Sequence, residues 1–102
     1  MQQKVKIFNE SIKKSNDMPV YARLLDIQSE IGEMAKEYLK GSKYGEDIFE
    51  MSEDFELELG DVLYSIFSLA NELNIDSELA LDKVLKKYKK RFDEKNNLGS
   101  GM

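Results

Sequence analysis

The sequence of 102 residues contains neither cysteine nor histidine. Without cysteine there can be no disulfide framework, which fits a cytoplasmic location. Without either residue type, structural zinc sites, iron–sulfur clusters and haem ligation by His or Cys lose their usual ligands. Nucleophiles of the Ser-His and Cys-His kinds are excluded as well. A metal site in this chain would therefore consist of oxygen ligands, which suit Mg²⁺ or Mn²⁺.

Long apolar runs and an excess of basic residues are also missing. No stretch approaches the length of a membrane span, and residues 1–6 lack the apolar core of a signal peptide. We therefore expect a cytoplasmic protein with no membrane partner. The net charge of −5 argues against a nucleic-acid polymer as the main partner, since such proteins usually carry a basic surface.

What is present favours helices. The chain has a single proline and is rich in Leu, Glu, Lys and Ile. Apolar periodicity predicts four helices, at about residues 2–15, 19–40, 53–73 and 77–94. For the second helix the sequence predicts an N-cap at Asp17 or Met18, Pro19 in the first turn and an end at Gly41. The other predicted boundary residues are Ser52 and Asn74 around the third helix and Asp76 or Ser77 before the fourth. The sequence thus predicts one all-α, four-helix bundle-like domain at residues 1–95 and a flexible tail at residues 96–102.

A four-residue phrase occurs twice, as Glu-Ile-Gly-Glu at residues 30–33 and as Glu-Leu-Gly-Asp at residues 58–61. Residues three apart share a helix face, so each phrase presents two carboxylates side by side. Acidic pairs of this spacing occur five times in the chain, but only these two contain an apolar-Gly centre within a long apolar pattern. Because a helical glycine costs about 1 kcal/mol relative to alanine, we expect something to approach the backbone closely at both places.

The two phrases lie on acidic stripes of the second and third helices. If these helices pack antiparallel across the intervening loop, the stripes face each other. Carboxylates brought together in this way repel and raise one another's pKa unless cations are present. The sequence therefore predicts a site for Mg²⁺, with Mn²⁺ as a possible substitute, and metal-assisted attack of water on phosphorus. Its predicted ligands and catalytic residues are Glu30, Glu33, Glu58 and Asp61.

The fourth helix carries the complementary charge. Lys83, Lys87 and Arg91 recur every four residues and so share one face. A solvated basic face that balances an acidic protein would give the same pattern. Beside a metal–carboxylate cluster, however, a line of cations is suited to a polyphosphate chain.

Several motifs in order resemble those of one enzyme family. Both acidic phrases are followed by Leu-Ala-Asn-Glu-Leu-Asn-Ile-Asp at residues 69–76 and Lys-Lys-Tyr-Lys-Lys-Arg-Phe at residues 86–92. Over roughly residues 20–95 the chain is similar to the MazG-like nucleoside triphosphate pyrophosphohydrolases of the all-α NTP pyrophosphatase superfamily. The ordered set of motifs is specific, whereas either acidic motif alone would not be.

The resemblance implies an all-helical, oligomeric enzyme that uses Mg²⁺ to split a nucleoside triphosphate into a monophosphate and pyrophosphate. A homodimer or a tetramer built from two dimers is expected. The family's metal ligands fall on the four acidic residues named above, and its basic residues fall on Lys87 and Arg91. Many relatives carry an acid immediately before the first motif, where this chain has Ser29. The position before Glu58 is likewise Leu57, so an acid that could transfer protons beside the ligands is missing at both places, while the ligands themselves are intact.

The nucleobase pocket and the activity itself stay open at this stage. Aromatic residues that could stack on a base are more typical of core or interface positions, so no nucleotide can be chosen; they are Tyr21, Tyr38, Phe55 and Tyr64. A non-catalytic helical module that senses nucleotides or cations, or binds a partner, is the alternative.

The apolar stripe of the third helix is wider than one neighbouring helix needs, which predicts a homo-oligomer.

Overall fold

The computed structural model describes residues 1–12 and 19–100, with side chains as far as residue 95, and these residues form four helices and no strand. Helix α1 spans Gln2–Ser11, α2 Val20–Gly41, α3 Glu53–Glu72 and α4 Ser77–Ser100. The all-α prediction is confirmed for this part of the chain. The predicted end of the first helix near residue 15, the N-cap at Asp17 or Met18, and the last two residues of the tail lie outside the described residues. No described helix is both long and apolar enough to span a membrane.

The helix starts follow from local capping chemistry. The hydroxyl of Ser52 accepts a hydrogen bond from the backbone N–H of Phe55 at 3.1 Å, which confirms the predicted N-cap of α3. The N-cap of α4 is Asp76 rather than Ser77, since the Asp76 carboxylate accepts a hydrogen bond from the N–H of Leu79 at 3.0 Å. Pro19 was expected in the first turn of α2 and instead occupies the N-cap position, with a ψ of 150°.

Helices α2 and α3 end with the same backbone hydrogen-bond pattern. Asn74 adopts a left-handed φ of 54° after α3, and the N–H of Ile75 donates to the carbonyl of Ala70 at 2.9 Å, which is the hydrogen bond of a Schellman motif.

At the end of α2 the left-handed residue is Lys43, with a φ of 50°, and the N–H of Tyr44 donates to the carbonyl of Leu39 at 2.7 Å. Gly41, the last residue of α2, is required for packing, because a Cβ there would lie 2.7 Å from the ring of Phe49. Both predicted helix ends are therefore found, and both share the Schellman hydrogen bond.

Helix α3 is the central element. Helix α2 runs antiparallel to α3, because later residues of α2 contact earlier residues of α3. The contacts are those of Arg23 with Glu72, Asp26 with Ser65 and Tyr38 with Phe55. Helix α1 packs on another side of α3. Residues 78–95 of α4 are all exposed, so α4 does not close a four-helix bundle within one chain, in contrast to the predicted bundle-like protomer. It also runs to Ser100, past its predicted end near residue 94, and the division into a domain at 1–95 and a flexible tail at 96–102 stays a prediction.

The interior of the described chain is small and largely polar. Val62 and Ala70 are its only buried apolar residues, whereas the buried polar residues are Asn9, Arg23, Ser42, Ser65 and Ser68. The radius of gyration is 18.2 Å, against about 13 Å for a compact domain of this length. The limited core agrees with the expectation from chain length, because small domains bury a smaller fraction of their surface.

A polar network attaches α1 to α3. The side chain of Asn9 donates to the hydroxyl of Ser68 at 3.2 Å and accepts from the hydroxyl of Tyr64. The ring of Phe8 meets that of Tyr64 edge to face, with centroids 6.1 Å apart. Because buried polar groups need partners, this network specifies the position of α1 along α3.

Candidate metal centre

Three carboxylates converge where α2 faces α3. One carboxylate oxygen from each of Glu30, Glu58 and Asp61 lies within 4.8 Å of the other two. Glu30 and Glu58 are half-buried, and Asp61 is exposed. The two acidic phrases therefore meet across the helix interface, as their pattern predicts. The fourth predicted ligand, Glu33, is exposed and lies outside this group.

The cluster is electrostatically strained in the absence of a cation. Burial raises the pKa of the Glu30 carboxyl above its ordinary value of 4.5, and the negative charges of Asp61, Asp26 and Glu58 and a hydrogen bond with Glu58 raise it further. One carboxylate oxygen of Glu58, Oε2, is buried without a hydrogen-bond partner in the part of the chain that the structure describes. Both observations indicate negative charge that the protein itself leaves uncompensated.

The donor set fits a hard divalent cation. Its atoms are all carboxylate oxygens, the ligands that Mg²⁺ and Mn²⁺ prefer. A cation would give the buried oxygen of Glu58 a partner and would neutralise the repulsion between the two helices. The residues present therefore suit the group that the sequence predicts.

Two further polar contacts follow the cluster along the same interface. The hydroxyl of Ser65 donates to Asp26 Oδ2 at 3.3 Å. Beyond it, the guanidinium of Arg23 donates to the carboxylate of Glu72 at 3.0 Å, with Arg23 only 6% exposed. Asp26 belongs to the acidic stripe of α2, four residues before Glu30, whereas Ser65 and Arg23 were not expected from the sequence. Both could have been found as polar residues at helix positions that the apolar pattern assigns to the interior.

The two helical glycines have open space beside them. A Cβ built on Gly32 or on Gly60 would meet no atom within 4 Å beyond its own neighbourhood, as far as the described residues extend. A close approach from elsewhere in the same chain, one explanation for these glycines, is therefore wrong. The approach of a ligand or of a second copy stays a prediction.

The candidate aromatic residues are mostly engaged in packing. The ring of Tyr38 stacks on Phe49 with centroids 4.5 Å apart, and Phe49 meets Phe55 at 5.0 Å. Tyr64 bonds to α1 as described, whereas Tyr21 is 69% exposed. No nucleobase site emerges from these contacts.

The basic residues of α4 are open to solvent in one chain. Lys83, Lys87 and Arg91 are exposed. Among the residues that the structure describes, no ion pair joins α4 to another helix. Their role in phosphate binding therefore stays a prediction.

Comparisons with known proteins show which family the chain resembles. The sequence model of the family of MazG nucleotide pyrophosphohydrolase domains matches residues 21–95. The chain is 38% identical over 73 residues to the uncharacterized protein YpjD of Bacillus subtilis, covering 69% of this chain and 64% of that protein. It is 39% identical over 66 residues to the nucleoside triphosphate pyrophosphohydrolase/pyrophosphatase MazG of Thermotoga maritima, covering 65% of this chain and 24% of that protein. The chain thus spans less than two thirds of either relative. No solved structure matches it.

Proposed function

Because the chain belongs to the MazG nucleotide pyrophosphohydrolase domain family, we propose that it hydrolyses a nucleoside or deoxynucleoside triphosphate with Mg²⁺. The reaction consumes one water, breaks the anhydride between the α- and β-phosphates, and releases a nucleoside monophosphate and pyrophosphate. The observation that carries the proposal is the convergence of Glu30, Glu58 and Asp61, with a buried oxygen of Glu58 that has no partner.

In this proposal Glu30, Glu58 and Asp61 would hold the cation, and Glu33, which lies outside the converging group, would join them as the fourth ligand. When bound, the cation would polarise a phosphate oxygen and make the phosphorus more susceptible to attack by water. The carboxyl of Glu30, whose pKa is raised in the apo protein, must give up any proton that it carries as the site fills. Glu58, half-buried on the central helix, supplies a ligand whose direction the helix packing fixes.

The phosphate chain needs positive charge as well as a cation. We propose that Lys87 and Arg91, with Lys83, donate hydrogen bonds to its non-bridging oxygens. Since α4 packs extensively on neither α2 nor α3 of its own chain, a second copy is the natural source of these groups. The proposed working unit is accordingly a homodimer or a tetramer of two dimers.

Product analysis tests the proposed reaction. The full chain is incubated with a panel of NTPs and dNTPs and Mg²⁺, and the products are separated by chromatography. We expect a monophosphate and pyrophosphate from at least one substrate. A nucleoside diphosphate with orthophosphate would contradict the assigned bond, and an inactive protein whose melting temperature still rises with Mg²⁺ would favour a cation sensor.

Matched variants connect the activity to the cluster. Glu58→Gln and Asp61→Asn each remove one charge with little change in shape. We expect a loss of turnover of more than about 100-fold, because even changes outside the ligand shell cost up to that much. Glu56→Gln is the control, since Glu56 is an exposed acid on the same helix and is not among the converging carboxylates. Equal activity in all three variants would refute the assignment.

A further inference from the structure

We propose that Asp26 and Ser65 are positioning residues for the carboxylate cluster. Through their mutual hydrogen bond they fix how far Glu30 on α2 stands from Asp61 on α3. The inference rests on the proposed function, because the distance matters only if the cluster holds a cation. Neither residue is a proposed ligand, so each would act through the carboxylate one helical turn away.

The geometry that supports this role is the spacing along both helices. Asp26 precedes Glu30 by four residues, and Ser65 follows Asp61 by four residues, so the pair lies one turn from the cluster on each helix. Ser65 is only 4% exposed, and its hydroxyl donates a hydrogen bond to Asp26 Oδ2 at 3.3 Å. A buried hydroxyl with a single partner on the facing helix constrains the sliding of one helix along the other.

The cluster needs such a constraint because its own charges act against it. Glu30, Glu58 and Asp61 repel across the α2–α3 interface. Val62 and Ala70 are the only buried apolar residues of the described chain, and the contacts of Arg23 with Glu72 and of Tyr38 with Phe55 lie further along α2 from Glu30 than Asp26 does. The hydrogen bond beside the cluster therefore holds the helices at the separation at which one ion can contact both.

Asp26 also contributes through its charge. Its carboxylate lies close enough to act on Glu30 electrostatically, while Ser65 holds one of its oxygens. It thereby adds negative potential for a cation from a fixed position without joining the converging group. Charge and hydrogen bond are separable, because Asp26→Asn removes the charge and keeps an acceptor, whereas Ser65→Ala removes the donor and keeps the charge.

The test measures Mn²⁺ binding to the full chain by electron paramagnetic resonance, together with the melting temperature of each apo variant. We expect Ser65→Ala and Asp26→Asn each to weaken Mn²⁺ binding by about tenfold, the scale at which changes outside the ligand shell act. The matched control is Ser68→Ala, because Ser68 is a serine of the same helix, 1% exposed, whose hydroxyl bonds to Asn9 of α1 instead. It should lose stability and keep the wild-type affinity.

Each outcome decides the inference. Wild-type affinity in Ser65→Ala would overturn it, and so would an equal loss of affinity in Ser68→Ala, which would indicate general loosening of α3. A wild-type protein that binds no Mn²⁺ would overturn both this inference and the proposed metal site. Wild-type binding with unaffected variants would overturn the positioning role alone.

Discussion

The charged form of Glu30 is destabilised by its place in the cluster. Its pKa is raised by burial first and by three neighbouring carboxylates second. A carboxyl whose pKa is higher in the folded than in the unfolded chain binds more protons when folded. Its contribution to stability is therefore fully present below the ordinary pKa and is lost as the pH rises through the raised one.

We accordingly predict that the apo protein loses stability as the pH rises from about 4 towards neutrality through the titration of Glu30. Melting temperatures in EDTA across this range measure the loss, and Mg²⁺ should reduce it by compensating the charge. Glu30→Gln should be more stable than wild type at neutral pH and less dependent on pH. If Glu30→Gln and the control Glu56→Gln gave the same pH profile as wild type, the cluster would not be the origin.

The helical glycines give a second prediction at this scale. Gly60→Ala and Gly32→Ala should raise the stability of the fold by up to about 1 kcal/mol, since alanine favours helix and the space is open. They should nevertheless lower activity if a ligand or a second copy approaches there. Gly41→Ala is the contrasting variant and should destabilise, because its Cβ would displace the ring of Phe49. Melting curves and turnover measured together decide the matter, and full activity in both helical variants would remove the reason for these glycines.

The sequence predicts the chemistry of the site better than its geometry. Two acidic phrases on neighbouring helices are visible in the chain, and the meeting of Glu30, Glu58 and Asp61 bears out their facing arrangement. Glu33 lies on the same acidic stripe and outside the group, because which members of a stripe converge is a property of the packed helices that periodicity does not specify. The bond between Ser65 and Asp26 needs the register of α2 on α3, which cannot be read from the sequence either.

At the scale of the helices, α3 depends on its N-terminal cap. The bond from Phe55 N–H to the Ser52 hydroxyl satisfies a donor that the helix leaves free. We predict that Ser52→Ala lowers the free energy of unfolding by about 1 kcal/mol, measured by chemical denaturation. Ser29→Ala is a suitable control, since Ser29 is exposed in the middle of α2. An equal effect of the two substitutions would mean that the cap contributes nothing specific.

Helix limits could be predicted where the cause is local. Ser52 and Asn74 act through their own backbone neighbours, and the sequence identifies both. What α4 packs against has no such local cause. Its apolar residues predict a helix with a buried face, yet every one of its residues from 78 to 95 is exposed in one chain. Periodicity indicates that a face needs covering and leaves open which element covers it.

At the scale of the whole molecule, the chain resembles part of an assembly. It measures 58 × 41 × 23 Å, and large apolar side chains stand exposed on several helices. Those of α4 are between 37% and 62% exposed: Leu79, Leu81, Val84, Leu85, Tyr88 and Phe92. Exposed apolar surface of this kind is typical of an interface. The residues of α4 from 77 to 95 carry seven basic and four acidic side chains, so this basic helix complements the acidic remainder of a second copy.

We predict that the protein is at least a dimer in solution and that α4 contributes to the contact. Light scattering at micromolar concentration should give a multiple of 11.8 kDa. Leu85→Gln should shift the population towards the single chain, because it places a polar group on the apolar face. Lys86→Gln introduces the same side chain one position along and removes only one of the seven basic charges, so it should shift the population much less. An active wild-type protein of 11.8 kDa would contradict the prediction.

The exposed apolar face of α4 also determines how the protein should tolerate sequence change. In a monomer, positions such as Leu81 and Phe92 would accept almost any residue, because exposed sites contribute little to folding. In the proposed assembly they are interior positions, so a deep mutational scan should find them as intolerant as Val62. Their accessibility in one chain would then mark the residues under the strongest selection.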